Sequence, residues 1–269
     1  TADHVLWGPS LAVRTGFATD QDLRHRASSG GVLSALMAQL LADGTVERIV
    51  QVAADPSKPQ ANRTVSSLRI ADVAGAAGSR YAPSAPLSDI DAELDRPGWF
   101  AFVGKPCDVA ALRALARIDP RVDRKVAIMA SFFCAGVPGL RGVGELLDAL
   151  DVRETDLSEF RYRGHGWPGA ATARRSDGSS ASMSYARSWG GILSRHVQFR
   201  CKICADGVGG AADVVCADAW KCDARGYPQF EEADGQSLVI SRTQRGEALV
   251  QRALTAGTIV TRSQPVSAI

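Results

Sequence analysis

Two stretches decide the fold: Trp99-Phe-Ala-Phe-Val103-Gly-Lys-Pro-Cys107 and Val126-Ala-Ile-Met-Ala-Ser-Phe-Phe133-Cys134-Ala-Gly136. Each is a compact apolar run that stops at glycine or proline, as a buried strand does. After the first, Asp108 opens a helix with Val109, Leu112, Leu115 and Ala116 on one face; after the second, a helix runs from about Leu140 to Leu150. A strand–helix–strand–helix series winds right-handed with parallel strands. The loops after both strands then share one sheet edge, the edge where open α/β sheets place ligands. Cys107 and Cys134 both lie there. The expected fold is α/β, with a mixed, largely parallel sheet, helices on both faces and an irregular Gly-rich region. Alone, a cysteine such as Cys134 behind Phe132-Phe133 is more often an inert core thiol.

Cys201-Lys-Ile-Cys204-Ala-Asp206 supplies a close cysteine pair. That spacing by itself leaves zinc, an iron–sulfur cluster and a dithiol redox pair open. Zinc ribbons usually draw on two close pairs, and only one is present. No thioredoxin-like strand–helix context surrounds it either.

Toward the N-terminus, Ala27-Ser-Ser-Gly-Gly31 precedes a run with Val32, Leu33, Leu36, Met37, Leu40 and Leu41 apolar, closed by Gly44. The spacing marks one buried helix face. Ser28 or Ser29 can cap this helix. Gly30 and Gly31 let a ligand approach its first turn, where free N–H groups suit a phosphate. A capped helix with glycines for close packing explains the same residues.

Strands are read over Val46–Ala53 and Val65–Ile70, with a turn or loop from Asp55 to Pro59 between them. Gly78-Ser-Arg-Tyr81 lies in a small-residue stretch, where Arg80 and Tyr81 could hold an anion and stack on a ring, or simply form a surface loop. Asp89–Leu94 reads as a short helix, and Pro97-Gly98 as a soft boundary. Tyr162-Arg-Gly-His-Gly-Trp-Pro-Gly169 is too punctuated for a regular element. His165 and Trp167 within it could line a pocket, although a histidine in such a loop is more often a surface residue. Ser176-Asp-Gly178 signals a hairpin between Ala171–Arg175 and Ser182–Tyr185. Further strands are read over Ala212–Cys216, Ser237–Ser241 and Thr258–Thr261, with an amphipathic helix over Gln244–Leu254.

Charge is nearly balanced, with 31 basic and 29 acidic residues, and no basic block argues for a nucleic-acid surface. The apolar runs are too short to span a bilayer and no secretory signal is read. The expectation is a soluble, cytoplasmic protein, in which six cysteines serve as ligands or free thiols.

In order and spacing, these pieces resemble the beta subunit family of coenzyme F-420 hydrogenases and dehydrogenases. That iron–sulfur flavoprotein family includes 7-hydroxymethyl chlorophyll a reductase and divinyl chlorophyllide reductase relatives. The resemblance runs from about Gly8 to Ala253. It is carried by Ser28-Ser-Gly-Gly31, Gly78-Ser-Arg-Tyr81, Gly104-Lys-Pro-Cys107, Phe133-Cys134, the loop 162–169, the Cys201/Cys204 pair with Asp206, Ala212-Asp213, Asp218-Ala-Trp220, Gly235-Gln-Ser237 and Arg242-Thr243.

The resemblance implies an oxidoreductase with FAD and a 4Fe-4S cluster, passing electrons between a hydride partner, coenzyme F-420 being one candidate, and one-electron carriers. It implies Cys107, Cys134, Cys201 and Cys204 as cluster ligands. Ser28, Ser29, Gly30, Gly31, Ser79, Arg80 and Tyr81 become flavin-binding positions. Residues 1–97 become a flavin-binding region and 98–269 an α/β region with the iron–sulfur site, closely packed against it. Candidate catalytic residues are Lys105 and His165. Expected partners are a ferredoxin-like protein or other redox subunit and a small-molecule hydride donor or substrate, with oligomeric state left open. Reduction of a tetrapyrrole or other organic substrate is the alternative within the enzyme class, and a zinc-stabilised binding or scaffold module the alternative outside it.

The chain also departs from the family. Many relatives carry Thr at the position of Lys105 and Gly at that of Ala217. Cys216 and Cys222 fall outside the ligand pattern, as inert thiols or a local substitute for one ligand. With no cysteine before Cys107, any second cluster would sit on a segment outside this sequence or on a partner.

Overall fold

The computed structural model describes residues 2–269, with side chains from Val5 onward. The helices are α1 (Ala2–Trp7), α2 (Gln21–Arg26), α3 (Val32–Ala42), α4 (Ile70–Gly75), α5 (Ile90–Asp95), α6 (Pro106–Leu115), α7 (Arg121–Lys125), α8 (Leu140–Ala149), α9 (Phe199–Lys202) and α10 (Gln244–Thr255). The strands are β1 (Ala12–Ala18), β2 (Arg48–Asp55), β3 (Lys58–Ser67), β4 (Phe100–Val103), β5 (Val126–Phe132), β6 (Leu157–Arg161), β7 (Ala171–Arg175), β8 (Ser180–Met183), β9 (Val214–Asp218), β10 (Ser237–Ser241) and β11 (Ile259–Ser263).

Eight strands form one mixed sheet in the order β11-β1-β10-β9-β5-β4-β2-β3. Its centre, β2-β4-β5-β9, is parallel. Antiparallel strands extend it on both sides: the β2–β3 hairpin on one, and β10, β1 and β11 on the other. The strands before and after Pro97-Gly98 thus share a single sheet. The strand–helix–strand reading of residues 99–133 places β4 beside β5, with α6 packed on β5.

Side-chain alternation along each strand divides the core between the two faces. Ala101 and Val103 of β4 face a layer containing Val32, Leu36, Met37 and Leu40 of α3 and Leu249 and Val250 of α10. Phe100 and Phe102 face the opposite layer, with Ile90 and Leu94 of α5 and Val109 and Leu112 of α6. Leu36 and Leu40 are fully buried, and each such side chain contributes about 1.5–3 kcal/mol through burial. A separate core joins Val143, Leu146 and Leu147 of α8 to Leu157, Phe160 and Ala173 of a small β6-β7-β8 sheet.

Several sequence expectations need correction. The strand placed over Val65–Ile70 is the end of the longer β3, and Ile70 begins α4. Between β2 and β3, Pro56-Ser57 is a tight turn, held by Asp55 Oδ1 accepting from the Ser57 N–H at 2.8 Å, and Lys58 and Pro59 already belong to β3. Phe160 lies in a strand that the sequence reading left out, β6, which ends where the punctuated loop 162–169 begins. Neither Ser28 nor Ser29 caps α3: its N-cap is Gly31, at φ 76°, with no side-chain cap. Among the described residues no helix is long and apolar enough to cross a membrane.

Candidate functional site

A cavity of about 520 Å³ opens at the C-terminal edge of the parallel strands, within the size range of small-molecule sites. Ser28, Ser29, Gly31, Ser79, Arg80 and Tyr81 line it from one side. Gly104 and Lys105 after β4, Phe133, Cys134 and Gly136 after β5, and Cys216 to Asp218 on β9 line it from below. Tyr185, Trp189 and Trp220 complete the wall. Stretches far apart in sequence thus meet at the strand ends.

The start of α3 faces this space, with Gly31, Leu33 and Ser34 in its lining. Because no side chain caps α3, its first-turn N–H groups keep their capacity for an anion. Ser28 Oγ lies 2.7 Å from Ser79 Oγ, which ties the two motifs together. Ser29 is held at 3.0 Å by Ser237 Oγ, and the same oxygen accepts from the Gly30 N–H at 3.0 Å. Gly30 therefore serves packing: a Cβ there would stand 2.6 Å from both Gly16 O and Ser237 N.

Arg80 also holds the frame. Its guanidinium donates to Asn62 Oδ1 and to the carbonyls of Pro59, Ala61 and Phe160 at 2.6–3.0 Å. Tyr81 packs on Trp189, ring centroids 4.6 Å apart, and offers an aromatic face beside the cavity. Lys105 is buried, with Nζ donating to Asp108 Oδ2 at 2.7 Å and to Ser84 Oγ at 2.9 Å. His165 is exposed beside His25, ring centroids 5.6 Å apart, and is not among the lining residues.

Cys107, Cys134, Cys201 and Cys204 share one neighbourhood. Cys107 sits in the first turn of α6 and Cys134 just beyond β5. The Cys134 N–H donates to Gly207 O at 2.8 Å, which clamps the β5 loop to the segment after Cys204. A Cβ on Gly136 would stand 3.2 Å from the Cys201 Cβ. Burial pushes the Cys107 thiol up, as Asp108 does, while Lys105 and Arg200 pull it down; the charge of Cys204 also reaches it. Burial likewise raises Cys134, a backbone hydrogen bond from Gly136 lowers it, and the charges of Cys107 and Cys201 raise it further. Among the described residues, no group of three or more His, Cys, Asp or Glu could hold a single metal ion. Cys216 is buried on β9 and its thiol is pushed up to about 12 by that burial. Cys222 is exposed.

A buried ion pair in the cavity wall escapes the sequence reading. Arg163 donates to both carboxylate oxygens of Asp218, at 2.9 and 3.0 Å. It also donates to Ser28 O at 2.6 Å and Pro168 O at 2.8 Å. Trp167 Nε1 adds a third hydrogen bond to Asp218 at 2.8 Å, and Trp167 stacks on Trp220 at 4.7 Å. Burial opposes the Arg163 charge, but Tyr81 and Asp218 more than offset it, so the guanidinium holds its proton more tightly than usual. The one local signal is an arginine inside a Gly-rich loop, because its partner lies 55 positions away.

Comparisons with known proteins cover nearly the whole chain. The family description "Coenzyme F420 hydrogenase/dehydrogenase, beta subunit N-term" matches residues 13–90, and its companion for the C terminus of the same beta subunit matches residues 98–266. The coenzyme F420 hydrogenase subunit beta of Methanococcus voltae is 26% identical over 262 residues, spanning 91% of this chain and 82% of that protein. A chain of the F420-reducing [NiFe] hydrogenase complex from Methanosarcina barkeri, solved in a xenon-derivatised form, shares the fold. Its TM-score is 0.72 at 21% identity, covering 94% of this chain and 82% of that one. With both halves of the sequence matched in order, the chain belongs to the coenzyme F420 hydrogenase/dehydrogenase beta subunit family, a family of oxidoreductase subunits.

Proposed function

We propose that this protein is an iron–sulfur flavoprotein that exchanges electrons between a hydride partner and one-electron carriers. The observation that carries the reading is the continuity of the cavity, lined at one side by Ser28, Ser79 and Tyr81 and at the other by Cys134 and Gly136. A flavin seated there would lie beside the cysteine group. Bound FAD supplies the interchange between two-electron and one-electron chemistry.

The chain's own residues fit such a group. The uncapped start of α3 suits a diphosphate, with Ser28 and Ser79 as hydroxyl partners. Tyr81 and Trp189 offer flat apolar faces to a ring. Arg80 fixes the 78–82 loop through backbone carbonyls, and Arg163 fixes Ser28 through its carbonyl. Residues 1–97 then form the flavin-binding region and 98–269 the region with the iron–sulfur site.

Cys107, Cys134, Cys201 and Cys204 would hold the 4Fe-4S cluster. A closed zinc site asks for ligand sulfurs about 3.8 Å apart, from Zn–S bonds of about 2.3 Å. In a cluster each thiolate meets a different iron, so a looser group serves. The names of the similar hydrogenase subunits support coenzyme F420 as the hydride partner and another redox subunit as the electron partner; a ferredoxin-like protein is the alternative electron partner.

Anaerobic purification tests this directly, with about four irons and one FAD per chain expected. Cys204→Ser should lose iron and keep most of the flavin. A colourless protein containing zinc and no flavin would overturn the reading.

A further inference from the structure

We infer that the exposed edge carrying Cys107 and Cys204 is the docking face for an acidic one-electron carrier protein. The inference rests on the cysteine-held cluster proposed above. It adds the chemistry of the partner and the residues that recognise it.

Two large apolar side chains stand in solvent on either side of Cys201. Phe199 is 75% exposed and Ile203 69% exposed. Cys107 and Cys204 are themselves exposed. On the other flank Trp7 stacks on Phe133, next to Cys134, with centroids 6.1 Å apart, and Val5 and Leu6 remain 86% and 64% exposed. Apolar side chains gathered around a site in this way mark an interaction surface.

Charge selects the partner. Arg200 and Lys202 alternate with Phe199, Cys201 and Ile203 and are exposed. Neither forms an ion pair among the described residues, and Arg200 donates to Gln198 Oε1 at 3.1 Å. Two nearby acids are turned to partners other than these cations. Asp206 accepts from the N–H groups of Val208, Gly209 and Gly210 at 2.8–3.0 Å. Asp108 pairs with Lys105 at 2.7 Å. The face is therefore apolar around two exposed cations, Arg200 and Lys202, that have no acidic partner among the described residues.

An acidic surface around the carrier's own redox centre complements this face, steers the encounter and fixes its orientation. A second copy of this chain would bring like charges together. Each encounter moves one electron: the carrier's centre loses it as the cysteine-held cluster gains it, or the reverse, and no bond or proton is transferred.

The test uses reconstituted protein and a plant-type ferredoxin, an acidic carrier, with cytochrome c as the basic control. The second-order rate with ferredoxin should fall as salt rises. Arg200→Glu with Lys202→Glu should lower the low-salt rate by about ten-fold or more. Iron content and reduction by methyl viologen should stay at wild-type values. Phe199→Ser should weaken ferredoxin binding while keeping its salt dependence. The inference is overturned if the double variant, with full iron, reacts with ferredoxin at an unchanged rate, or if cytochrome c is the preferred carrier. If wild-type protein holds no iron, the cluster reading fails on its own. Fluorescence anisotropy of labelled ferredoxin then decides the docking face: loss of binding on charge reversal upholds it, and unchanged binding overturns it.

Discussion

Arg163 and Asp218 meet through two parallel hydrogen bonds of 2.9 and 3.0 Å in the wall of the cavity. The pair joins the Gly-rich loop to the end of β9, and Arg163 carries on to Ser28 O at 2.6 Å. Three chain segments are thus fixed relative to one another by one guanidinium. Asp218→Ala would leave that cation buried without its carboxylate. Removing one partner of a buried pair typically costs about 3–5 kcal/mol. Urea unfolding should show a loss near the low end, about 3 kcal/mol, because Asp218 keeps 22% of its side-chain surface exposed. Arg163→Met with Asp218→Leu should recover part of the stability, since no unpaired charge remains.

Gly30 and Gly31 are adjacent, yet they answer to different constraints. Gly30→Ala places a methyl 2.6 Å from two backbone atoms in the sheet, and overpacking of that kind costs about 1–3 kcal/mol. Gly31→Ala meets only contacts of 3.3 Å or longer but must adopt φ 76°, at about 1–2 kcal/mol. Thermal unfolding of the two variants should rank Gly30→Ala as the more damaging. Equal losses would mean that β1 and β10 give way more readily than their geometry suggests.

Legibility from sequence depends on whether a residue's partner is close in the chain. The β4–α6–β5 unit is legible because its apolar periods are strong and its punctuation local. So is the meeting of Cys107 and Cys134 at one edge, which follows from parallel strands. β1 is hidden, because Arg14, Thr15 and Gly16 interrupt its pattern. Arg14 is in fact buried against Glu247 of α10, at 2.6–2.9 Å. Ser28 and Ser29 have the right chemistry to cap α3, but their hydroxyls are taken by Ser79 and Ser237. Arg80 suggests an anion ligand by its charge alone; its four hydrogen bonds go to the protein frame.

The Arg14–Glu247 pair gives a pH signature. Hydrogen bonds from Arg14 hold the Glu247 carboxyl at about 2, against an ordinary 4.5. A carboxylate with a depressed folded-state value contributes stability above its unfolded value, and that contribution disappears as pH falls through the folded one. Stability should therefore decline between about pH 5 and pH 2 partly through this group. Glu247→Gln should be less stable at pH 7 and should lose less on acidification. Urea midpoints at several pH values compare the two slopes, and parallel curves would exclude Glu247 as a contributor.

Lys105 offers the sharpest chemical test of the cavity, since it places a buried ammonium group in the lining. Its partner Asp108 is held at 2.7 Å, so the pair is locally neutral, but Cys134 feels Lys105 as a pull downward. If the cavity holds flavin, as proposed above, a cation in its wall favours the reduced, anionic form over the oxidised neutral one. Lys105→Thr should make the flavin midpoint potential more negative by about 30 mV, the equivalent of about 1.4 kcal/mol for two electrons. Asp108→Asn, which frees the ammonium from its counter-charge, should move the potential in the positive direction. Spectroelectrochemical titration of both variants reads the two shifts. Shifts of the same sign would show that the substitutions act through packing, leaving the Lys105 charge without influence on the bound ring.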